Sequence, residues 1–184
     1  MTQVHRKGRT FDFRSEYAEV KDSAQYVNEL ATRNDIELTN YSHEGVKEFS
    51  PSVIVNYDFE HQCLVSGNKI YCNMLVLPQV HEELPKEDDR KLPFEFPVQQ
   101  SERIQVTLKL PEGYTMEALP ENVTVETPYG RFTAHAEMQG SLLVVHHGLQ
   151  RNPVEQPASE YADFQSFMRT TYRAYRKQVI LKSS

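Results

Sequence analysis

Ile104, Val106, Leu108 and Leu110 alternate with Arg103, Gln105, Thr107 and Lys109, and a period of two with one apolar side predicts a half-buried strand over 103–110. Pro111-Glu112-Gly113 supplies the turn that ends it. Short alternating runs continue at Tyr114 to Leu119, Val123 to Thr127, Phe132 to Met138 and Ser141 to His147. Pro120-Glu121-Asn122, Pro128-Tyr129-Gly130 and Gln139-Gly140 separate them. Upstream, Val53, Val55, Tyr57 and Phe59 share one side of a strand over 52–59, and Ile36, Leu38 and Tyr41 alternate with polar residues. Regular short strands punctuated in this way predict a β-sandwich.

Two segments carry a helical period instead. Tyr17, Val20, Ala24, Val27, Leu30 and Ala31 fall on one stripe, predicting a helix over 13–33 that Asp12 or Ser15 caps and that ends near Asn34-Asp35. Tyr161, Phe164, Phe167 or Met168, Tyr172 and Tyr175 recur at helical spacing after Ser159, and Lys177 to Lys182 then returns to strand. So many rings on one helix need a sheet to cover. The expected fold class is α+β and mainly β: an antiparallel immunoglobulin-like β-sandwich with one N-terminal helix and one helix near the C-terminus. Residues 1–37 form an N-terminal segment and helix, and residues 38–184 form the sandwich. A charged loop at 79–91, with Glu82, Glu83, Lys86, Glu87, Asp88, Asp89, Arg90 and Lys91, splits it. Asn73 to Pro78 is read as extended chain leading into that loop.

Composition narrows the function. The 184 residues suffice for a real core. A formal charge of −6, from 20 Lys and Arg against 26 Asp and Glu, argues against a nucleic-acid footprint. No apolar run approaches the roughly 20 residues that span a bilayer, and Met1 to Thr10 lacks the apolar stretch of a secretion signal.

Cys63 and Cys72 flank Leu64 to Tyr71, a hairpin with Gly67-Asn68 at its turn. In that register the cysteines face each other at a close, non-hydrogen-bonded position that suits a disulfide. Two free thiols packed side by side are the alternative. Neither cysteine precedes a helix, and no Cys-His-Asp arrangement emerges, so no catalytic thiol is expected.

Candidate metal ligands come from the hairpin around Gln139-Gly140. Pairing Met138 with Ser141 places His135, Glu137 and His146 on one face, with the two histidines diagonal. The set has the right donors for zinc but sits on the expected solvent face, so no metal and no cofactor is expected. His147 points the other way, while His61 and His81 find no partner. Asp88-Asp89 and Glu82-Glu83 lack apolar walls to raise a carboxyl pKa and read as solvated charge. No phosphate loop or dinucleotide fingerprint occurs.

Arg90-Lys91-Leu92-Pro93-Phe94-Glu95-Phe96-Pro97, Leu110-Pro111-Glu112-Gly113-Tyr114, Glu117-Ala118-Leu119-Pro120, Tyr129-Gly130-Arg131-Phe132 and Glu160-Tyr161-Ala162-Asp163-Phe164 leading to Val179-Ile180-Leu181 occur in that order. Together they resemble the C-terminal β-domain of a bacterial transglutaminase-like family. The resemblance implies a non-catalytic accessory domain whose partner is an upstream core carrying a Cys-His-Asp triad. It further implies a periplasmic or cell-envelope setting in Gram-negative bacteria and no activity in this chain. The competing expectation is an independent sandwich module that binds cell-envelope glycan or peptide.

Overall fold

In a computed structural model, which describes residues 1–34, 36–47, 50–60, 62–73 and 90–183, the chain pairs its strands antiparallel throughout. The predicted strand and loop over 74–89, together with His61, His81 and both carboxylate pairs, lie outside the described residues. Strand β1 is Thr2–Lys7, followed by helices α1 (Gly8–Ala18) and α2 (Ser23–Asn34). Next come β2 (Glu37–Glu44), β3 (Ser52–Glu60), and the hairpin β4 (Leu64–Ser66) with β5 (Lys69–Asn73). Beyond residue 90 lie β6 (Phe94–Phe96), β7 (Gln100–Lys109), β8 (Tyr114–Ala118), β9 (Val123–Thr127), β10 (Gly130–Gln139), β11 (Leu142–Arg151) and β12 (Val154–Gln156). A short 3-10 turn leads into α3 (Tyr161–Tyr175), and β13 (Gln178–Ser183) follows.

The expected class is observed: mainly β, antiparallel and sandwich-like, with helices added. Its N-terminal helical stretch differs in detail, because residues 13–33 are parts of two helices rather than one. The helical backbone is interrupted at Glu19 to Asp22, and there Gln25 N–H bonds the Asp22 carboxylate (2.9 Å). Asp22 thus caps α2 as a short acidic residue before a first turn should. Tyr17 and Tyr26, one from each helix, still meet at 5.4 Å.

A seven-stranded sheet runs β2-β3-β1-β7-β11-β10-β9, and a four-stranded sheet runs β4-β5-β13-β8. Residues 2–7, expected to precede the sandwich, lie inside the large sheet between β3 and β7. One face of that sheet is buried in its central strands and partly buried at its edges, β2 and β9, and two groups of elements cover it. Helices α1 and α2 cover the β2-β3-β1 side around Phe13, Val53, Val55 and Tyr57. The four-stranded sheet and α3 cover the other side, around Ile104, Val106, Phe132, Leu143, Val145, Phe164 and Val179. The helix does what its ring spacing predicts: Tyr161, Phe164, Phe167, Met168 and Tyr175 are all buried. Phe164 meets Phe94, Phe96 and Tyr129 at 5.2, 5.0 and 5.6 Å, and the Tyr129 hydroxyl donates to Glu160 (3.0 Å). The Arg90 guanidinium caps this cluster from 4.6 Å above the Tyr161 ring. The proline-aromatic run of 90–97 therefore serves as packing for α3.

Candidate functional site

Chemistry-bearing side chains gather in a buried polar seam, on one hairpin, and on the open face of the large sheet. The seam lies where the two covered halves of that sheet meet. Strand register sets His5 of β1 against Glu102 of β7, both pointing inward, with Nδ1 and Oε1 2.9 Å apart and each side chain only 2% exposed. The imidazole stacks on Phe13 at 5.1 Å. Nearby, Arg151 donates to the Gln100 side chain, and Gln100 donates to the Asp12 carboxylate (2.7 Å). Asp12 also lies 3.7 Å from Arg9. Burial, and then the charge of Arg9, push the Arg151 guanidinium below its ordinary value.

A histidine beside a carboxylate is the base and orienting acid of a nucleophile-activating set. Here neither group has a surface to offer a substrate. The arrangement ties β1 to β7 and joins α1 to the end of β11 through Asp12, Gln100 and Arg151. On the far side of β3, Arg14 of α1 donates to the carbonyls of Gly45 (2.6 Å), Val46 (3.2 Å) and Ser50 (2.6 Å), pinning the turn between β2 and β3. None of these long-range polar contacts has a local signal in the sequence.

Cys63 and Cys72 are joined in a disulfide with Cα atoms 4.8 Å apart. They extend the β4–β5 ladder, in which Leu64 faces Tyr71 and Ser66 faces Lys69. The chain's two cysteines are thus both oxidised, and neither sulfur is a nucleophile in this form. Beside the bond lies a cleft of about 320 Å³ lined by Met1, Tyr57, Phe59, Cys63, Cys72 and Leu108, among others.

The histidine hairpin pairs differently from the expected register. Gln139 faces Leu142 and Met138 faces Leu143, so Gly140-Ser141 is the turn and His135 stands directly opposite His146. The physical reason is Gly140, which takes φ +62° at the first position of the two-residue turn, where a positive φ is required. His135 Nε2 lies 3.4 Å from Glu137 Oε2. Hydrogen bonds from Gln139 and then His135 hold the Glu137 carboxyl below its ordinary value. Among the described residues, no group of three or more His, Cys, Asp or Glu side chains is placed to hold a metal ion. His147 faces the core as expected, in contact with the rings of Tyr175 (5.3 Å) and Phe132 (6.3 Å). Burial, with His146 adding repulsion, pushes its pKa down to about 4.

On the opposite, outer face of the large sheet is a hollow of about 620 Å³. Arg103, Gln105, Arg131, Thr133, His146 and Gly148 line it. The alternation predicts Arg103 and Gln105 on the wet side of a strand, while His146 enters the sequence reading as a candidate metal ligand and Arg131 as part of the Tyr129-Gly130-Arg131-Phe132 motif. The available signal was Gly148 amid β-formers, a residue that often marks close approach or a gap in a sheet.

A family model described as "Domain of Unknown Function with solved-structure structure" (DUF3858) matches residues 68–181. No curated protein matches the chain. Among solved structures, one described as a "putative protease" from Parabacteroides distasonis is similar in fold, with a TM-score of 0.50 and 18% identity. The alignment covers 62% of this chain and 23% of that one, so the matched part spans less than a quarter of that protein's length.

Proposed function

Since this chain belongs to the DUF3858 family of domains of unknown function, we propose that it is a non-catalytic accessory domain of a larger protein. In this reading the larger protein is a transglutaminase-like thiol enzyme of the cell envelope, and the domain packs on its catalytic core and shapes access to it. The observation that carries the reading is one of proportion. The part of this fold that aligns occupies 23% of a longer chain described as a "putative protease", as expected of a module attached to an enzyme.

Three physical points support it. The chain's own thiols are consumed in a disulfide. Its His–carboxylate pair is sealed between sheet and helix. The ordered run of motifs from Arg90 to Leu181 resembles the rear domain of transglutaminase-like proteins. The disulfide also favours the periplasm, since such bonds persist in oxidising compartments.

The native reading frame upstream of Thr2 provides the test. A segment encoding Cys, His and Asp in that order is the expected finding. A stop codon followed directly by a signal peptide would make the chain free-standing and overturn the reading.

A further inference from the structure

We propose that the hollow on the outer face of the seven-stranded sheet binds an acidic peptide segment in extended form, its carboxylates seated on Arg103 and Arg131. The cavity has a specific origin. Gly148 of β11 is paired with Arg103 of β7 on one side and with Thr133 of β10 on the other. All three residues face outward, and the middle one has no side chain. The floor of the hollow is therefore bare strand, and its walls are the side chains around the gap. A volume of about 620 Å³ falls within the roughly 300–1,000 Å³ of ordinary ligand sites.

The charge of the walls runs against that of the molecule. The chain as a whole carries −6, yet the ionisable side chains facing this hollow are Arg103, Arg131 and His146. Glu102 contributes only from the far side, because its carboxylate meets His5 in the buried seam. Among the described residues Arg103 has no ion pair. Arg131 has a loose one, 4.0 Å from Glu126, with the two side chains 60% and 75% exposed, and exposed pairs of this kind contribute little. Both guanidinium groups are thus available to an incoming carboxylate, which an arginine fork can hold through two parallel hydrogen bonds.

Two further features select a peptide over other anions. Ser101, Thr133 and Gln150 supply donors and acceptors on the rows that hold the two arginines, which suits a backbone of amides. No Phe or Tyr lines the hollow, and the ring that faces it is the small imidazole of His146, so there is no broad aromatic platform for a sugar or a base to stack on. Spacing defines the segment. Arg131 lies two strands across from Arg103 and two residues along, about 12 Å between Cα atoms at ordinary strand geometry. Same-side residues four apart in an extended peptide are separated by about 13–14 Å. The fitting ligand carries carboxylates at positions i and i+4.

The test uses the whole chain, isotope-labelled, titrated at low ionic strength with an acetylated and amidated pentapeptide that has Glu at its first and fifth positions and Ala-Thr-Ala between. Saturable shifts centred on the amides of Arg103, Gly148 and Thr133 are expected, with the Gln-for-Glu peptide failing to produce them. The double variant Arg103→Ala/Arg131→Ala should bind at least about tenfold more weakly, since it removes both charge-assisted contacts. A control double variant, Lys91→Ala/Arg176→Ala, loses equal charge away from the hollow and should bind as the parent does. Both arginines of the test pair are exposed, so the fold survives their loss, and an unchanged amide spectrum checks this. No saturable shift, equal binding of the Gln peptide, equal binding by the test double variant, or tighter binding of sodium pyrophosphate than of the peptide would each overturn the assignment.

Discussion

Lowering the pH should destabilise this domain through one buried histidine. His147 is 7% exposed and lies against the rings of Phe132 and Tyr175, so its imidazole is neutral in the folded state. Its folded-state pKa of about 4 lies below the ordinary value of 6.5. The unfolded chain therefore takes up a proton that the folded chain refuses throughout the interval between those values. Stability from this group is fully present above pH about 6.5, falls as the pH drops toward 4, and levels off below it. With 1.36 kcal/mol for each unit of displacement, the loss between pH 7 and pH 4.5 is about 2 to 2.5 kcal/mol. Carboxylates titrate over part of the same interval, so the comparison must be between proteins. Urea unfolding of the parent and of His147→Leu, each at pH 7 and pH 4.5, isolates the histidine. The variant's loss on acidification should be smaller than the parent's by about 2 kcal/mol. Equal losses in the two proteins would refute a buried neutral imidazole at this position.

Three other substitutions or treatments probe the packing. Phe164→Ala empties the centre of the ring cluster formed with Phe94, Phe96 and Tyr129 and should cost about 3–5 kcal/mol in urea unfolding. Gly130 has φ +156° and sits where a Cβ would overlap the Gln150 carbonyl oxygen, so Gly130→Ala should destabilise by about 1–3 kcal/mol, read from the same unfolding curves. Reducing Cys63–Cys72, which closes a loop with a sequence separation of 9, should remove about 2–3 kcal/mol on the chain-entropy model. Thermal melts with and without reductant measure that loss.

Much of this fold was legible because its signals are local. The alternation of 103–110 becomes β7, the turn residues after it become the corners of β8 to β11, and the ring spacing of 161–175 becomes α3 on its sheet. What escaped depends on partners distant in the chain. Nothing in Gln3-Val4-His5 says that the strand inserts between β3 and β7, yet that placement makes His5 face Glu102. The break at Glu19 to Asp22 was hidden because the apolar stripe continues across it while the backbone stops. The register of β10 and β11 turned on one residue in the Gly140-Ser141 turn, enough to move His135 from diagonal to directly opposite His146. The hollow around Gly148 was invisible for a related reason. A missing side chain creates a cavity only once the strands on either side are known.

The most direct measurement compares the purified chain with the complete natural protein of its reading frame in an amide-hydrolysis and acyl-transfer assay. The account predicts that the chain alone leaves the substrate at the buffer rate, while the complete protein turns it over and loses that activity when an upstream cysteine is replaced. Saturable turnover by the isolated chain would contradict it.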